Sequence, residues 1–452
     1  MADRYNVITN EIVGRGAQYC DLYLQSSAAH TARYDDGKTD GLSSIVTEGT
    51  GARTVVNGRS FFAHRPGVSE SSVSSALSAS LDSAGMSLLL PKGDAALLVR
   101  ESSCERFPVD FLHDIDVELR KRSAFVKQVS FRFSQSDKDI LIIAPDGLKK
   151  SCNRKYTTFM AQIVVEKNGL LQTASERRYM ALGADEFWAG TSAREISDTA
   201  FERAMLMLEA KPCPAGVMNV YMAGEAGGTI IHEACGHGLE ADIVEKDSSV
   251  FKGCIGQKIA ADCVTMIDDP TLPGLYGNYI FDDEGTDASR TVLIENGVLK
   301  GYLTDRLSAE LYGYPLTGNG RRESFRKLPV PRMSNTFLLP GAHKSEEEML
   351  DITRDGLYVK KMGGGEVNPT TGDFVFYVAE AYIIEGGKIK YPVKGATLTG
   401  NGPEVLKNIC ALGDNLVMDS GICGKAGQSV PVTDGQPSMV VKGITVGGRE
   451  TE

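Results

Sequence analysis

Residues 231–240 read Ile-His-Glu-Ala-Cys-Gly-His-Gly-Leu-Glu, and this segment constrains the fold more than any other part of the chain. It places two of only six histidines, His232 and His237, five residues apart, with Glu233 directly after the first. A His-Glu pair followed by a second histidine lets one helix carry metal ligands and a general base. In a regular α-helix, residues four apart are offset by roughly 40° and residues five apart by roughly 140°. The two histidines can therefore share a metal ion only if the helix ends before His237 or contains a π-bulge, which Gly236 makes easier.

Two imidazoles do not complete a catalytic zinc site, which usually has three protein ligands and a water molecule. The residues alone leave three candidates for the third ligand. Glu240 lies three residues after the second histidine, and Cys235 lies three residues after the first. Cys423 is remote in sequence and lies in a glycine-rich segment.

Glu233 is the natural candidate for the general base. A carboxylate in this position would take a proton from a metal-bound water and pass it to the leaving amine. A glutamate on a helix is more often a solvated surface group. Its position beside a candidate ligand favours the catalytic interpretation.

Composition narrows the class of protein. The chain has 452 residues, 42% of them hydrophobic and 24% charged, which is ordinary for a globular protein of two or three domains. A net charge of −11 argues against a general binder of nucleic acid or anionic membranes. We find no apolar run long enough to cross a bilayer and no signal-peptide pattern at the N-terminus. Nine cysteines without a Cys-x-x-Cys pair are typical of reduced thiols, so we expect a cytoplasmic protein.

The patterns predict an α+β fold in two domains. Residues 1–211 should form an N-terminal domain of helices and antiparallel sheet, with a hairpin at Asn57-Gly58. Two prolines and a glycine within residues 211–216 mark the boundary. Residues 217–452 should form a mainly antiparallel β domain that carries the motif helix, from about 228 to 245.

Individual elements can also be predicted. We expect helices at 69–84, 110–125 and 195–210, and strands at 129–133 and 140–143, with more antiparallel sheet over 156–172. Residues 318–322 and 360–365 are rich in glycine or charge and are candidate flexible loops. The glycine-rich turn 224–228 lacks the spacing of a dinucleotide site, so no nucleotide cofactor is predicted.

Four segments of the C-terminal half carry a resemblance to a known family. They are residues 227–261 (GGTIIHEACGHGLEADIVEKDSSVFKGCIGQKIAA), 281–285 (FDDEG), 331–336 (PRMSNT) and 421–428 (GICGKAGQ). In this order they resemble the TldD family of zinc metallopeptidases. Members of that family are related to, and often paired with, PmbA (TldE) subunits that lack the metal motif. The N-terminal half resembles the family more weakly, by length and pattern.

The resemblance implies a site and an activity. Cys423 occupies the place of the family's third ligand, so His232, His237 and Cys423 are expected to bind one Zn²⁺ per chain, with Glu233 as the base. Two histidines and a thiolate would also accept Fe²⁺ or cobalt. The implied substrate is an unfolded or extended peptide, enclosed in a cavity of a homodimer or of a heterodimer with a metal-free PmbA/TldE-type subunit. The alternative is a non-catalytic, peptide-binding or regulatory subunit, although such a subunit has no use for a base.

Further polar residues have less specific roles. Asp282, Asp283 and Glu284 form an acidic run that is either a solvated turn or, as the resemblance favours, a support for the cleft or for a ligand. Side chains that could contact a peptide are Arg332, Asn319 and Asn335. Glycines 363–365 would allow a peptide backbone to approach a sheet edge closely.

Overall fold

The computed structural model describes residues 2–99, 110–342 and 345–448. The chain is an α+β protein of mostly antiparallel sheets, which confirms the predicted fold class. We call residues 2–209 the N-terminal part and the remainder the C-terminal part. None of the helices in the described ranges is long and apolar enough to cross a lipid bilayer. The eight cysteines in these ranges form no disulfide, and Cys104 lies outside them.

In the described residues, 2–99 and 110–209, the N-terminal part is a six-stranded antiparallel sheet with five helices. Its strands are β1 (Tyr19–Asp35), β2 (Lys38–Val56), β3 (Arg59–Pro66), β4 (Val126–Ile143), β5 (Lys149–Lys167) and β6 (Leu170–Met180), in the order β3-β2-β1-β4-β5-β6. Its helices are α1 (Ala2–Gly14), α2 (Glu70–Ser83), α3 (Asp110–Arg122), α4 (Ala184–Gly190) and α5 (Ala193–Glu209). The predicted helices at 69–84, 110–125 and 195–210 correspond to α2, α3 and α5.

The local signals in this part act as expected. Asn57 and Gly58 both have positive φ (51° and 71°) and join β2 to β3 as a tight hairpin. Helix α2 begins after Ser69, whose side chain accepts the backbone N–H of Ser72. Its predicted apolar face is buried against the sheet: Val73, Ala76, Leu77 and Leu81.

Residues 129–133 and 140–143 are strand, as predicted, but they belong to one continuous strand, β4, so their separation into two strands was wrong. The polar residues between them stay paired with β1 on one side and β5 on the other. Backbone pairing on both edges does not require apolar side chains, so the polar stretch hides the continuity of the strand in the sequence.

The C-terminal part contains the remaining strands and helices. The strands are β7 (Lys211–Pro212), β8 (Gly216–Met222), β9 (Met266–Asp268), β10 (Thr291–Glu295), β11 (Val298–Leu299), β12 (Gly320–Arg321), β13 (Val330–Pro331), β14 (Asn335–Leu338), β15 (Gly356–Val367), β16 (Asp373–Glu385), β17 (Lys388–Lys394), β18 (Thr397–Asn401), β19 (Ile409–Leu412), β20 (Val417–Lys425), β21 (Gln428–Gln436) and β22 (Met439–Gly447). The helices are α6 (Thr229–Ile231), α7 (Ala241–Glu245), α8 (Arg306–Tyr312), α9 (Glu346–Thr353) and α10 (Gly402–Asn408).

Two sheets of the C-terminal part enclose the motif segment. One closes on itself as the ring β15-β8-β22-β18-β16, because β16 pairs back to β15. The other is open, in the order β11-β10-β9-β14-β21-β20. The motif segment contacts both sheets, and its apolar side chains join the largest core cluster together with residues of the ring. The members from the segment are Ile230, Ile231, Ala234, Cys235 and Leu239.

Buried ion pairs join the N-terminal and C-terminal parts. Arg53 on β2 is 2% exposed and contacts Asp21 on β1 (Nη2–Oδ2 2.5 Å) and Glu284 (Nη2–Oε1 2.7 Å). Arg154 on β5 donates to the carboxylate of Asp283 at 2.9 Å. The acidic run 282–284 is therefore buried, and the solvated-turn interpretation was wrong. Arginines from the N-terminal part neutralise Asp283 and Glu284, whereas Asp282 accepts the backbone N–H groups of Glu284, Thr286 and Gly320.

The two predicted flexible loops are also ordered parts of the fold. Residues 360–365 lie within β15. In 318–322, Asn319 is fully buried, and its amide donates to Asp268 Oδ2 at 2.8 Å. Glycine and charge suggested mobility there, but tertiary partners fix both segments.

The Arg53 ion pairs lead to a stability prediction. Arg53→Ala should lower the free energy of unfolding by about 3–5 kcal/mol, because it leaves the buried Glu284 without its cation and Asp21 with only Arg322, at 3.3 Å. Unfolding in urea measures the change. Arg59→Ala, which removes an exposed arginine of β3, is the control and should cost less than about 1 kcal/mol. A loss for Arg53→Ala no larger than that of the control would contradict this role.

Candidate metal centre

The backbone of the motif resolves the five-residue spacing. After the turn Gly224–Ala226, Gly227 and Gly228 have positive φ (98° and 64°), and a Cβ on Gly228 would lie 2.6 Å from the backbone nitrogen of Gly435 on β21. The helix α6 then passes into a π-helical turn, His232–Gly236. In this turn the N–H of His237 donates to the carbonyl of His232, a bond that spans five residues. The π-bulge expected from the spacing is present.

The predicted single helix from 228 to 245 was wrong in its second half. A short 3₁₀ turn, His237–Leu239, follows the π turn, and Glu240 is extended (φ −85°, ψ 122°). Helix α7 begins only after Glu240. This break turns the Glu240 side chain back beneath His237.

Three predicted side chains converge at one point. The Nε2 atom of His232 lies 3.2 Å from the Sγ atom of Cys423, and the Nε2 atom of His237 lies 3.3 Å from the same sulfur. Cys423 arrives on β20, paired with Val430 of β21. The three ligand atoms lie within 4.8 Å of one another, close enough for one ion at bond lengths of about 2.0–2.3 Å.

The other ring nitrogens are held by carboxylates. The Nδ1 atom of His232 lies 2.5 Å from Oδ1 of Asp434, and the Nδ1 atom of His237 lies 2.9 Å from Oε2 of Glu240. Metal-binding histidines usually have such a partner, because it orients the ring and leaves Nε2 free to coordinate. Glu240 thus lies on the far side of the His237 ring, away from Cys423.

Sequence reasoning missed Asp434. A signal was present in the strand 428–436, where every second residue, Val430 and Val432, points into a small apolar cluster with Cys423. Asp434 continues that alternation with an acid. An acidic side chain on the inward-facing side of a strand is costly to bury alone, so its presence indicates a polar or charged partner.

Glu240 is itself held by several groups. The ammonium of Lys425 lies 3.0 Å from its Oε2 atom and also 2.6 Å from Asp242. The backbone N–H of Met333 donates to its Oε1 atom at 3.2 Å. Lysine and imidazole together keep the pKa of Glu240 well below its usual value, although burial alone would raise it. Glu240 therefore stays ionised beneath His237.

Arg332 has a different position from the one expected. It is fully buried, and its Nη2 atom donates to the carbonyl oxygen of Cys423 at 2.6 Å. It therefore holds the strand that delivers the sulfur and is not available to a peptide. Asn319 and Asn335 are also fully buried and are likewise not available to a peptide.

The electrostatics of the cluster favour a cation at its centre. Burial alone would lower the pKa of both histidines, but carboxylates and the sulfur outweigh it: the pKa of His232 lies well above its usual value, and that of His237 rises to about 9. Burial would raise the pKa of Cys423, yet the two imidazoles lower it to about 4. Protons on the histidines thus balance a thiolate, and a metal ion would displace them. The donor set fits a metal.

Cys235, the other candidate thiol, lies outside the cluster. It is fully buried in the apolar core of the C-terminal part, and burial raises the pKa of its thiol. A neutral thiol in apolar surroundings behaves as a small hydrophobic side chain.

Glu233 lies beside the cluster at the edge of a cleft. Its Oε2 atom is 3.8 Å from Nε2 of His237, and 27% of its side chain is exposed. Burial raises its pKa. The cleft has a volume of about 400 Å³ and is also lined by His232, Asp434, residues 173–177 of β6 and the glycines 363–365 of β15.

Comparison with known proteins identifies the class. The chain is 36% identical to the metalloprotease TldD homolog of Haemophilus influenzae over 96% of this chain and 94% of that one. It is 32% identical to a metalloprotease of Methanocaldococcus jannaschii, covering 92% and 94%. A relative in Saccharolobus solfataricus, 29% identical over 76% of each chain, is called a zinc metalloprotease TldD homolog. The protein is a metallopeptidase.

Family models identify the family of the chain, and solved structures show a similar fold. Residues 215–448 match the model of the PmbA/TldA metallopeptidase C-terminal domain, and residues 20–84 match that of PmbA/TldA metallopeptidase domain 1. The chain belongs to the PmbA/TldD family. Its fold is similar to TldE of Thermococcus kodakarensis (TM-score 0.76, 18% identity, covering 99% and 100% of the chains). It is equally similar to a protein of Thermotoga maritima (TM-score 0.77, 20% identity, 98% and 99%).

Proposed function

We propose that this metallopeptidase is zinc-dependent, with His232, His237 and Cys423 as the ligands of one ion and Glu233 as the general base. The convergence of two Nε2 atoms on one sulfur, each ring anchored through Nδ1 by a carboxylate, carries the proposal. Two imidazoles and a thiolate suit zinc, and one relative is called a zinc metalloprotease. Iron or cobalt would fit the same donors.

Held by His232, His237 and Cys423, a zinc ion would lower the pKa of a bound water to about 7 and would polarise the carbonyl of the peptide bond. The protein supplies the proton transfer. Glu233 reaches the cleft while most of its side chain is buried, and burial raises its pKa, which makes its carboxylate a stronger base than an exposed one. It would accept the proton of the attacking water and return it to the leaving amine.

The substrate we propose is an unfolded or extended peptide. Three strands border the cleft with backbone that is open on one side. Among the described residues, β6 and β20 are the last strands of their sheets, and β15 pairs with β8 only over 356–359. Such edges accept an extended chain through backbone hydrogen bonds. A Cβ on Gly364 would meet nothing within 4 Å, so this glycine leaves room for that chain beside β15, whereas Gly363 and Gly365 approach Tyr377 and Phe376 of β16 closely.

Glu233→Gln tests the proposed base. We expect it to reduce peptide cleavage by about 10²–10⁴-fold with unchanged metal content, because glutamine keeps the shape but cannot accept the proton. The measurements are cleavage of an unstructured peptide and elemental analysis of the same preparations. Asp247→Asn, which neutralises an exposed acid after α7, is the control and should keep full activity.

Activity that survives in Glu233→Gln would remove Glu233 from the mechanism. A wild-type protein that holds metal and binds the peptide without cleaving it would favour the alternative, a non-catalytic peptide-binding subunit.

We also propose that the protein acts as a dimer, with a second copy or with a metal-free relative of the TldE type. Support comes from the segment 38–47 of β2. Strand β3 pairs with β2 only from residue 49 onward, so one edge of this segment has no strand beside it among the described residues. It carries three exposed apolar side chains, Leu42 (68%), Ile45 (58%) and Val46 (59%). An unpaired edge with apolar side chains is a surface for a second chain.

Leu42→Lys/Val46→Lys tests the dimer. Two charges on this edge should convert a dimer to a monomer, as measured by light scattering on the eluate of a sizing column. Val7→Lys changes an equally exposed apolar residue on α1 and should leave the mass unchanged. The proposal fails if the wild-type protein is a monomer both alone and with a metal-free relative, or if both variants keep the wild-type mass.

A further inference from the structure

One face of the N-terminal sheet is covered over only part of its length. At one end, Tyr23, Ile140 and Ile142 pack against Phe281 and Phe325 of the C-terminal part. At the other end the same face is open and forms a shallow pocket of about 240 Å³. Side chains on the open face of this pocket are Thr31, Arg33, Arg132, Ser134, Thr158, Met160 and Tyr179.

Arginines lie in register across this open face. Arg33 on β1 is directly opposite Arg132 on β4, Arg132 is opposite Met160 on β5, and Met160 is opposite Arg177 on β6. Opposed residues of antiparallel strands project to the same side of the sheet. We call Arg33, Arg132 and Arg177 the arginine row. All three are exposed.

The charges of the arginine row are poorly compensated. Among the described residues, Arg33 and Arg132 form no ion pair, and the carboxylate nearest to Arg177 is Asp419 at 3.9 Å. Asp35 on β1 accepts hydrogen bonds from Ser130 (2.6 Å) and Gln128 (2.8 Å), which lower the pKa of its carboxyl, and the charge of Arg132 lowers that pKa further.

Like charges directly opposite each other on a sheet are destabilising. The chain as a whole carries a net charge of −11, so it is not short of acids that could stand opposite arginine. An exposed cationic row whose internal partners are few and weak therefore suits an anion from outside the chain.

The arginine row leads into the cleft of the metal centre. Arg177 lines that cleft together with His232 and Glu233. Ser420 on β20, the strand that carries Cys423, donates to the carbonyl of Tyr179 on β6 at 2.7 Å, which ties the two walls together. A chain leaving the cleft past Arg177 would cross the open face towards Arg132 and Arg33.

We propose that the arginine row binds acidic side chains of the peptide substrate on the stretch that extends out of the cleft. This rests on the proposed peptidase function. Strands are about 4.8 Å apart, so Arg132 and Arg177 are separated by roughly 10 Å. This is close to the roughly 9 Å between residues i and i+3 of a chain in the polyproline II conformation, in which residues three apart point to the same side. Guanidinium groups bind carboxylates in a bidentate manner, and an exposed site of this kind selects by charge pattern.

Binding of matched peptides tests the proposal. Two unstructured fluorescent peptides differ only in a pair of residues three apart, both Glu in one and both Gln in the other. The protein is metal-loaded Glu233→Gln, so that binding is read without cleavage. We expect the Glu peptide to bind roughly three- to tenfold more tightly, with the preference shrinking as salt rises.

Arg33→Gln/Arg132→Gln in the same background should abolish that preference and leave binding of the Gln peptide unchanged. The matched control is Arg59→Gln/Arg65→Gln, which removes two exposed arginines of β3 and should keep the preference. The proposal is overturned if the preference is absent, if it survives in the row variant, or if it is lost equally in the control. It is also overturned if the row variant instead loses binding of a single-stranded oligonucleotide or changes its oligomeric mass.

The same peptides separate this proposal from the proposed function. If wild-type protein cleaves both peptides with equal kcat/KM, the proposed peptidase function is supported, and the proposal that the arginine row binds acidic side chains is overturned. If charge-dependent binding is found but neither peptide is cleaved, the proposal for the arginine row is supported, and the proposed peptidase function is overturned.

Thermal unfolding distinguishes a binding role from a structural one. Arg33→Gln and Arg132→Gln, made singly, should leave the thermal midpoint unchanged or slightly raised, because each removes a like-charge pair. A drop of more than about 5 °C in both would mean that these arginines support the fold, which would overturn the proposal.

Discussion

The metal centre depends on one backbone irregularity, the π turn His232–Gly236. In a regular helix, residues five apart would point in different directions, and His237 could not share a site with His232. The π turn takes up the extra residue, so both Nε2 atoms face Cys423. The surrounding structure packs closely against it: a Cβ on Gly236 would lie 2.1 Å from the sulfur of Met333, so a larger residue there would require the Met333 side chain to shift.

The charged groups buried around this turn are paired with one another. Asp434 and Glu240 hold the outer nitrogens of the histidines, and Lys425 in turn neutralises Glu240. Each of these groups would be costly to bury alone, and together they fix both rings before any ligand arrives. Arg332 adds a bond to the carbonyl of Cys423. The site is therefore preorganised by the fold rather than by a single helix.

Much of this could be predicted from the sequence, and the failures have physical causes. Helix α2 and the Asn57-Gly58 hairpin follow from local signals. The break at Glu240 and the burial of 282–284 do not, because partners distant in sequence decide them: Arg53 pairs with Glu284, and Arg154 pairs with Asp283. Asp434 was missed for the same reason, since its role is visible only beside His232. The division into domains at 1–211 and 217–452 stays a prediction.

Metal content tests the central claim most directly. Elemental analysis would be made on wild type, Cys423→Ser and Cys235→Ser, all purified without chelators. Our account predicts about one zinc per chain in wild type and in Cys235→Ser, because Cys235 packs in the core, and loss of the metal in Cys423→Ser. Metal retained in Cys423→Ser, or a wild-type protein that binds none, would contradict the three-residue centre.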